Sequence, residues 1–211
     1  MTAQLIDGTA IAQKVRDGVK EKVAKRIAEG KSQPGLATVL VGERIDSATY
    51  VSMKQKACAE LGMTSYHHPV PADITQADLE KLIKELNADP KVNGILVQLP
   101  LPSNLDEERI LQLISIEKDV DGFSPINLGR LAQKGREPLF VPCTPYGCIY
   151  LLKEAGDPSI QNVSGERNGL IATTTPCQDR SIFLVGCGKV GLTASVGIGG
   201  GQGVKLRPLA D

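Results

Sequence analysis

Gly94-Ile95-Leu96-Val97-Gln98-Leu99, closed by Pro100, is the stretch that most narrows what this chain can fold into. It is a nearly continuous apolar run with no polar alternation, and it is too short for a helix of ordinary length. Strands buried on both faces read this way, and such strands belong to parallel sheets covered by helices. The flanking segments should therefore carry helical periodicity, and they do. Ile11, Val15, Val19, Val23 and Ile27 recur every four residues between a cap at Thr9 and a stop at Gly30, predicting an amphipathic helix. Pro34-Gly35 turns the chain into a strand at Leu36–Val41, and Tyr66–Val70 supplies another. Thr75-Gln76-Ala77-Asp78 has the pattern of a capping box ahead of the apolar face Leu79, Leu82, Ile83 and Leu86. A further helix is expected from Asp106 to about Ser115, with Ile110, Leu111, Leu113 and Ile114 apolar. Thr144-Pro145 opens the next, proline being at home in the first helical position, and Gly156 ends it. Strands alternating with helices over short links define an α/β chain with a parallel sheet.

The segment between the first two strands holds the first candidate site. A helix is expected from Asp46 to about Gly62, capped by Asp46 or Ser47. Val51, Cys58 and Leu61 form its apolar stripe. Tyr50 and Lys54, at i and i+4, share a neighbouring face. A phenol and an amine would then project together beside the carboxyl edge of a strand, where open α/β folds keep their ligands. Alone, a Tyr and a Lys one turn apart on a helix are common, and the Lys is usually a solvated surface charge.

Composition excludes several classes. Lys+Arg and Asp+Glu both number 24, so no bulk field draws nucleic acid or an anionic membrane. Aromatics are 3% with no Trp, which leaves no platform for stacking bases. No apolar run approaches the roughly 20 residues of a membrane helix, and Met1–Gly8 lacks the basic-then-apolar order of a secretory signal. A cytoplasmic location is expected, or the interior of an organelle. The cysteines (Cys58, Cys143, Cys148, Cys177 and Cys187) are odd in number and unpaired in spacing, so they read as reduced, mostly buried thiols and not as a disulfide or zinc framework. The adjacent His67 and His68 would point to opposite sides of a strand end, and no metal site is expected.

After Asp157 the character changes. Gln161–Arg180 is polar and without period, and Ser181–Val185 reads as a strand leading into Gly186-Cys187-Gly188-Lys189-Val190-Gly191. Glycines at that spacing, here Gly186, Gly188 and Gly191, let a backbone turn bring helix N–H groups onto a pyrophosphate. The motif requires a helix and another strand to follow. Ser195–Gly203 is a poor helix former, and Asp211, at the distance of a ribose-binding acid, has no strand to hold it. The expectation is a three-layer α/β domain over residues 1–156, followed over 157–211 by an incomplete Rossmann-like or disordered remnant.

Three further pieces complete the pattern. Gln98 ends the buried strand, where a polar side chain is either exposed at the edge or partnered. Lys118-Asp119-Val120-Asp121-Gly122-Phe123 places two carboxylates on alternate residues of what is otherwise an ordinary Asp-Gly turn, and Pro142-Cys143-Thr144-Pro145 is otherwise a helix start. Taken in order, D-S-x-x-Y-V-x-x-K-x-K at Asp46–Lys56, G-I-L-V-Q-L-P-L-P at Gly94–Pro102, K-D-V-D-G-F at Lys118–Phe123, P-C-T-P at Pro142–Pro145 and Asn127–Leu131 resemble the methylenetetrahydrofolate dehydrogenase/cyclohydrolase family from Leu5 to about Gly156.

The resemblance implies oxidation of 5,10-methylenetetrahydrofolate with NADP, then hydrolysis of the methenyl product to 10-formyltetrahydrofolate. It implies that Lys54 is essential to hydrolysis with Gln98 as its partner, that Tyr50 packs on the folate, that Asp121 anchors the pterin, and that Leu99 and Pro100 line the substrate. It also implies a homodimer, and no nucleic-acid or membrane partner. The residue types suit the chemistry. A carboxylate accepts the paired donors of the amino-pyrimidinone edge in fork fashion, and a lysine held neutral by burial or a neighbouring positive charge can take a proton from water. The departure lies in the glycine loop: Gly188 stands where the family carries Ser, no Pro follows Gly191, and P-G-G-V-G-P does not occur. The family's phosphate-binding Arg and Ser are thus missing, and an altered reading of the gene from Gln161 onward, by retained intron or frameshift, is the expected origin. Three functions follow: a folate enzyme in which hydrolysis survives better than oxidation, a non-catalytic product that binds folate weakly or joins intact subunits, and a dinucleotide module.

Overall fold

The computed structural model describes residues 6–133 and 135–156, together with the backbone of 180–183 and 195–198. By contact the chain falls into two compact units, one of Thr9–Pro125, the other of Met1–Gly8 with Ile126–Asp211. That division lies earlier than the boundary expected after residue 156.

In the first unit, α1 (Gly8–Ala28) precedes β1 (Gly35–Val41), and α2 (Ile45–Glu60) leads to β2 (Thr64–Val70). Then α3 (Gln76–Ala88) leads to β3 (Gly94–Val97), and α4 (Glu107–Leu113) follows. The three strands are parallel, in the order β2-β1-β3. A parallel bridge from Ile95 to Asp119 extends the sheet beyond β3, with Ile95 N donating to Lys118 O at 2.8 Å. β1 is therefore central, which is why its apolar run does not alternate. Ala37, Val39 and Val41 face one way and join Ile95 and Val97 against Leu79, Ile83 and Leu86 of α3 and Ile110 of α4. Leu40 and the fully buried Thr38 face the other way, on a sheet whose β1 and β2 contact α2. At roughly 25 cal/mol per Å2 of apolar surface, this two-faced burial is what secures the sheet. The connection β1–β2 runs outward and β2–β3 runs back across, so the strand order reverses between β1 and β3. The crevice at such a reversal, outside the carboxyl ends of the strands, is where an open sheet binds ligands.

Several local expectations hold. Thr75 caps α3, its Oγ accepting from Asp78 N at 3.1 Å, and Asp106 caps α4 by accepting from Arg109 N at 3.0 Å. Others are corrected. The cap position of α2 is Arg44, without a side-chain cap bond. Asp46 lies inside the first turn, where it accepts from Ser47 N at 2.9 Å and pairs with Arg44 at 2.6 Å. A carboxylate there still favours the helix through its dipole. Arg44's hydrogen bonds, then that of Ser47 N, hold the Asp46 carboxyl down at about 2.

Of the α1 stripe only Val23 is buried, and Val15 and Ile27 are exposed. A repeat of four overshoots the 3.6-residue turn by about 40° each time, so those residues wind round the helix and form no single face.

In the second unit, a helix the sequence reading did not identify, α5 (Pro125–Ala132), is followed by α6 (Cys143–Glu154). The latter begins at Cys143, with Pro142 at the cap position, so Pro145 is its third residue and not its first. Its absent N–H still falls among the first four that no helix satisfies internally. Among the described cysteines only Cys58 is buried; Cys148 is half-buried and Cys143 exposed, contrary to the expectation of mostly buried thiols. Cys177 and Cys187 lie outside the described residues.

Where a strand was expected before the glycine motif, β4 (Arg180–Phe183) is found, and β5 (Ser195–Ile198) pairs with it antiparallel, Arg180 opposite Ile198. Gly186, Gly188 and Gly191 lie outside the described residues.

Candidate functional site

Four segments converge at the carboxyl edge of the first unit's sheet. The first is α2, which carries Tyr50 and Lys54. Val51 and Cys58, both buried, hold this helix down. Lys54 is half-buried and its Nζ donates to Gln98 Oε1 at 3.2 Å.

The second is the exit of β3. The strand ends at Val97, one residue before Gln98, yet Gln98 N still donates to Val39 O at 2.9 Å. That bond pins the glutamine backbone to the central strand. Its side-chain Nε2 donates to Leu99 O at 2.9 Å. An ammonium only donates and a carbonyl only accepts, so the amide's orientation is fixed from both sides.

The third is the turn after the bridge. Asp119 is buried, with Oδ1 accepting from Phe123 N at 3.2 Å and Oδ2 from Ser124 N at 2.8 Å. Gly122, at φ +69°, donates its N to Asp119 O at 3.0 Å and closes the turn. Of the two carboxylates in Lys118–Phe123, Asp119 is thus committed to the backbone, and Asp121 is the one whose carboxyl feels the Lys54 charge. Burial pushes the Asp121 carboxyl up; the Lys54 charge opposes this and Asp119 adds to it. The Lys54 charge that opposes the burial of Asp121 brings the carboxylate into one cluster with the Lys54–Gln98 pair.

The fourth is Leu99-Pro100-Leu101. Leu99 packs half-buried against the edge of the core, and Pro100 is exposed. Tyr50, 60% exposed, stands one turn before Lys54 at the open side.

Two residues contribute more than the sequence reading assigned them. Lys118 donates to Leu86 O, Asn87 O and Asp89 O at 3.1, 2.8 and 2.8 Å, capping the C-terminus of α3. Glu107 accepts from Leu101 N at 3.0 Å. The signal for Lys118 was present as a cation, but its partners lie about thirty positions back and no local pattern names them. Among the described residues, no group of three or more His, Cys, Asp or Glu side chains could hold a metal ion.

The fold and cluster define a class: an α/β domain in which an amine, an amide and a carboxylate from three separate segments gather at the strand-order reversal, the place where open sheets bind small molecules. The sequence family described as tetrahydrofolate dehydrogenase/cyclohydrolase, catalytic domain, matches residues 6–121, and the chain belongs to that family. Bifunctional protein FolD 2 of Arabidopsis thaliana is 54% identical over 74% of this chain and 52% of its own length. Bifunctional protein FolD of Moorella thermoacetica is 54% identical over 74% of this chain and 55% of its own. Among solved structures, the bifunctional FolD of Campylobacter jejuni superposes with a TM-score of 0.68 at 43% identity, covering 72% of this chain and 54% of that one. The Trypanosoma brucei FolD, complexed with NADP cofactor and inhibitor, gives 0.70 at 39% identity over 74% and 53%. The chain spans about half the length of these relatives.

Proposed function

We propose that the cleft binds a reduced folate bearing a bridging one-carbon unit and that Lys54 and Gln98 serve the hydrolysis of 5,10-methenyltetrahydrofolate to 10-formyltetrahydrofolate. The observation that carries this reading is the Lys54 Nζ–Gln98 Oε1 bond at 3.2 Å beside Asp121. Asp121 accepts the paired N–H donors of the pterin edge, and the exposed Tyr50 ring covers the folate from the solvent side. The substrate is a cation, and a positive neighbour favours an unprotonated amine. Water adds through oxygen to the bridging carbon while one of its protons passes to Lys54, which Gln98 steadies without adding charge. Cleavage of the carbon–N5 bond then leaves the formyl group on N10 and a proton on N5, so one proton is released overall.

NADP-dependent oxidation of the methylene form is the relatives' second chemistry, and this chain fits it less well. The strands flanking the glycine motif pair antiparallel, whereas a dinucleotide unit joins parallel strands through a helix. The chain is assigned to the cytoplasm or an organelle interior. Relatives include chloroplastic and mitochondrial FolD proteins, and no helix among the described residues is long and apolar enough to cross a membrane.

The test is the loss of methenyltetrahydrofolate absorbance with the full 211-residue chain. The wild type should accelerate hydrolysis, and Lys54→Ala should abolish it with an unchanged circular dichroism spectrum. Undiminished hydrolysis by a folded Lys54→Ala chain refutes the assignment.

A further inference from the structure

A side chain outside the cleft sets the geometry of the Lys54–Gln98 pair. Gln98 presents its oxygen to Lys54 while its nitrogen is held by Leu99 O, at 2.9 Å. Were the amide to rotate, an NH2 group would face the ammonium and the amine would lose its acceptor. The carbonyl of Leu99 therefore supports the pair through the far end of the amide. That carbonyl sits in a turn that leaves the sheet after Val97, with Pro100 next in line and unable to donate any backbone hydrogen bond. The first backbone donor beyond the proline is Leu101 N, and it is taken by Glu107 Oε2 at 3.0 Å.

Glu107 is half-buried at the start of α4, where a carboxylate is favoured by the helix dipole. The helix is itself fixed. Its cap Asp106 donates its N to Gln76 Oε1 at 2.9 Å, and Arg109 pairs with the buried Glu80 of α3 at 2.6 Å. Leu101 is buried in the core beside the turn. A charge-assisted bond thus ties the far end of the Gln98–Leu101 turn to a braced pair of helices.

We infer that Glu107 is a positioning residue for hydrolysis: its carboxylate, through Leu101 N and the Leu99 carbonyl, holds the Gln98 amide in the one orientation that offers Lys54 an acceptor. The inference rests on the proposed cyclohydrolase reading, and it acts on turnover more than on binding, because Asp121 and Tyr50 stand on other segments.

The experiment compares Glu107→Ala and Glu107→Gln in the full chain, following methenyltetrahydrofolate hydrolysis and the side-chain amide resonances of 15N-labelled Gln98. Misplacing a reacting group by about 1 Å costs up to about a hundredfold in rate. Glu107→Ala should accordingly lower kcat by about tenfold to a hundredfold with KM little changed, and should speed solvent exchange of the Gln98 amide protons. Glu107→Gln, which keeps an oxygen acceptor at the same reach, should recover most of both. A fall in stability with kcat and the Gln98 resonances of the surviving folded protein unaltered overturns the inference, as does Glu107→Gln behaving like Glu107→Ala. If the wild type does not hydrolyse the substrate, the functional reading fails on its own. The Gln98 exchange rates still decide whether Glu107 holds the amide.

Discussion

Gly94 is the position at which sheet packing and the cleft can be perturbed by one methyl group. A Cβ added there would lie 2.5 Å from Val120 Cγ1 and 3.4 Å from both Val120 Cγ2 and Leu36 Cδ1. Carbon atoms rest at about 3.5–4.0 Å, so Val120 would have to retreat by about 1 Å. A valine side chain is stiff at χ1 and offers no easy rotation, which passes the displacement to the backbone of residues 118–121. That backbone has little slack on its N-terminal side. Lys118 O accepts from Ile95 N at 2.8 Å, and the Lys118 ammonium is bound to three carbonyls at the end of α3. The shift falls on Asp121. Overpacking of this kind costs about 1–3 kcal/mol, and misplacing by about 1 Å a group with the role proposed for Asp121 weakens catalysis by up to about a hundredfold. Gly94→Ala should therefore lower the urea midpoint by the equivalent of about 1–3 kcal/mol. It should also weaken reduced-folate binding, measured by calorimetry, by at least about tenfold. A Gly94→Ala chain with wild-type midpoint and wild-type folate affinity would refute the placement of Val120 and Asp121 argued above.

Asp121 is predicted to trade stability for binding. Its folded carboxyl is pushed above its ordinary value, chiefly by burial, so the folded state binds that proton more tightly than the unfolded one. The cost of holding it ionised grows as pH rises through the folded value and is fully present above it. Asp121→Asn should thus raise the urea midpoint at neutral pH, with the gain vanishing in acid, while folate binding is lost; equal gains at all pH values would contradict this. Wild-type folate affinity should fall as the pH drops through the titration of Asp121, an effect that Asp121→Asn should remove. Lys118→Met removes three charge-assisted bonds from the end of α3 and should cost about 2 kcal/mol, read from chemical denaturation. A change below about 0.5 kcal/mol would place those bonds on the solvated surface, where ion contacts contribute little.

What could be read in advance divides by range. The doubly buried β3, the caps at Thr75 and Asp106 and the alternation of strand and helix are local, and period and capping chemistry suffice to find them. The α1 stripe misled because a spacing of four is close to a helical repeat without matching it. The α2 cap misled because Arg44, drawing Asp46 into an ion pair, shifts the helix start by a residue. At the site, Tyr50 and Lys54 were visible as a helical pair. The partnership of Lys54 with Gln98 spans 44 positions, and only the family resemblance joined them beforehand. Asp119 and Asp121 look equivalent in sequence. They differ because the sheet bridge at Asp119 turns its carboxylate onto Phe123 N and Ser124 N, while the Asp121 carboxyl feels the Lys54 charge. Glu107 and Lys118 were mute for the same reason: each serves backbone groups that only the tertiary fold brings near.

The central claim is that Lys54, Gln98 and Asp121 line one reduced-folate site. Its most direct measurement is a calorimetric titration of 5,10-methenyltetrahydrofolate into the Lys54→Ala chain, which should retain the cleft but not turn the ligand over. Saturable binding at one site per chain is expected, abolished when Asp121→Ala is added. Absence of binding, or binding indifferent to Asp121, would contradict it.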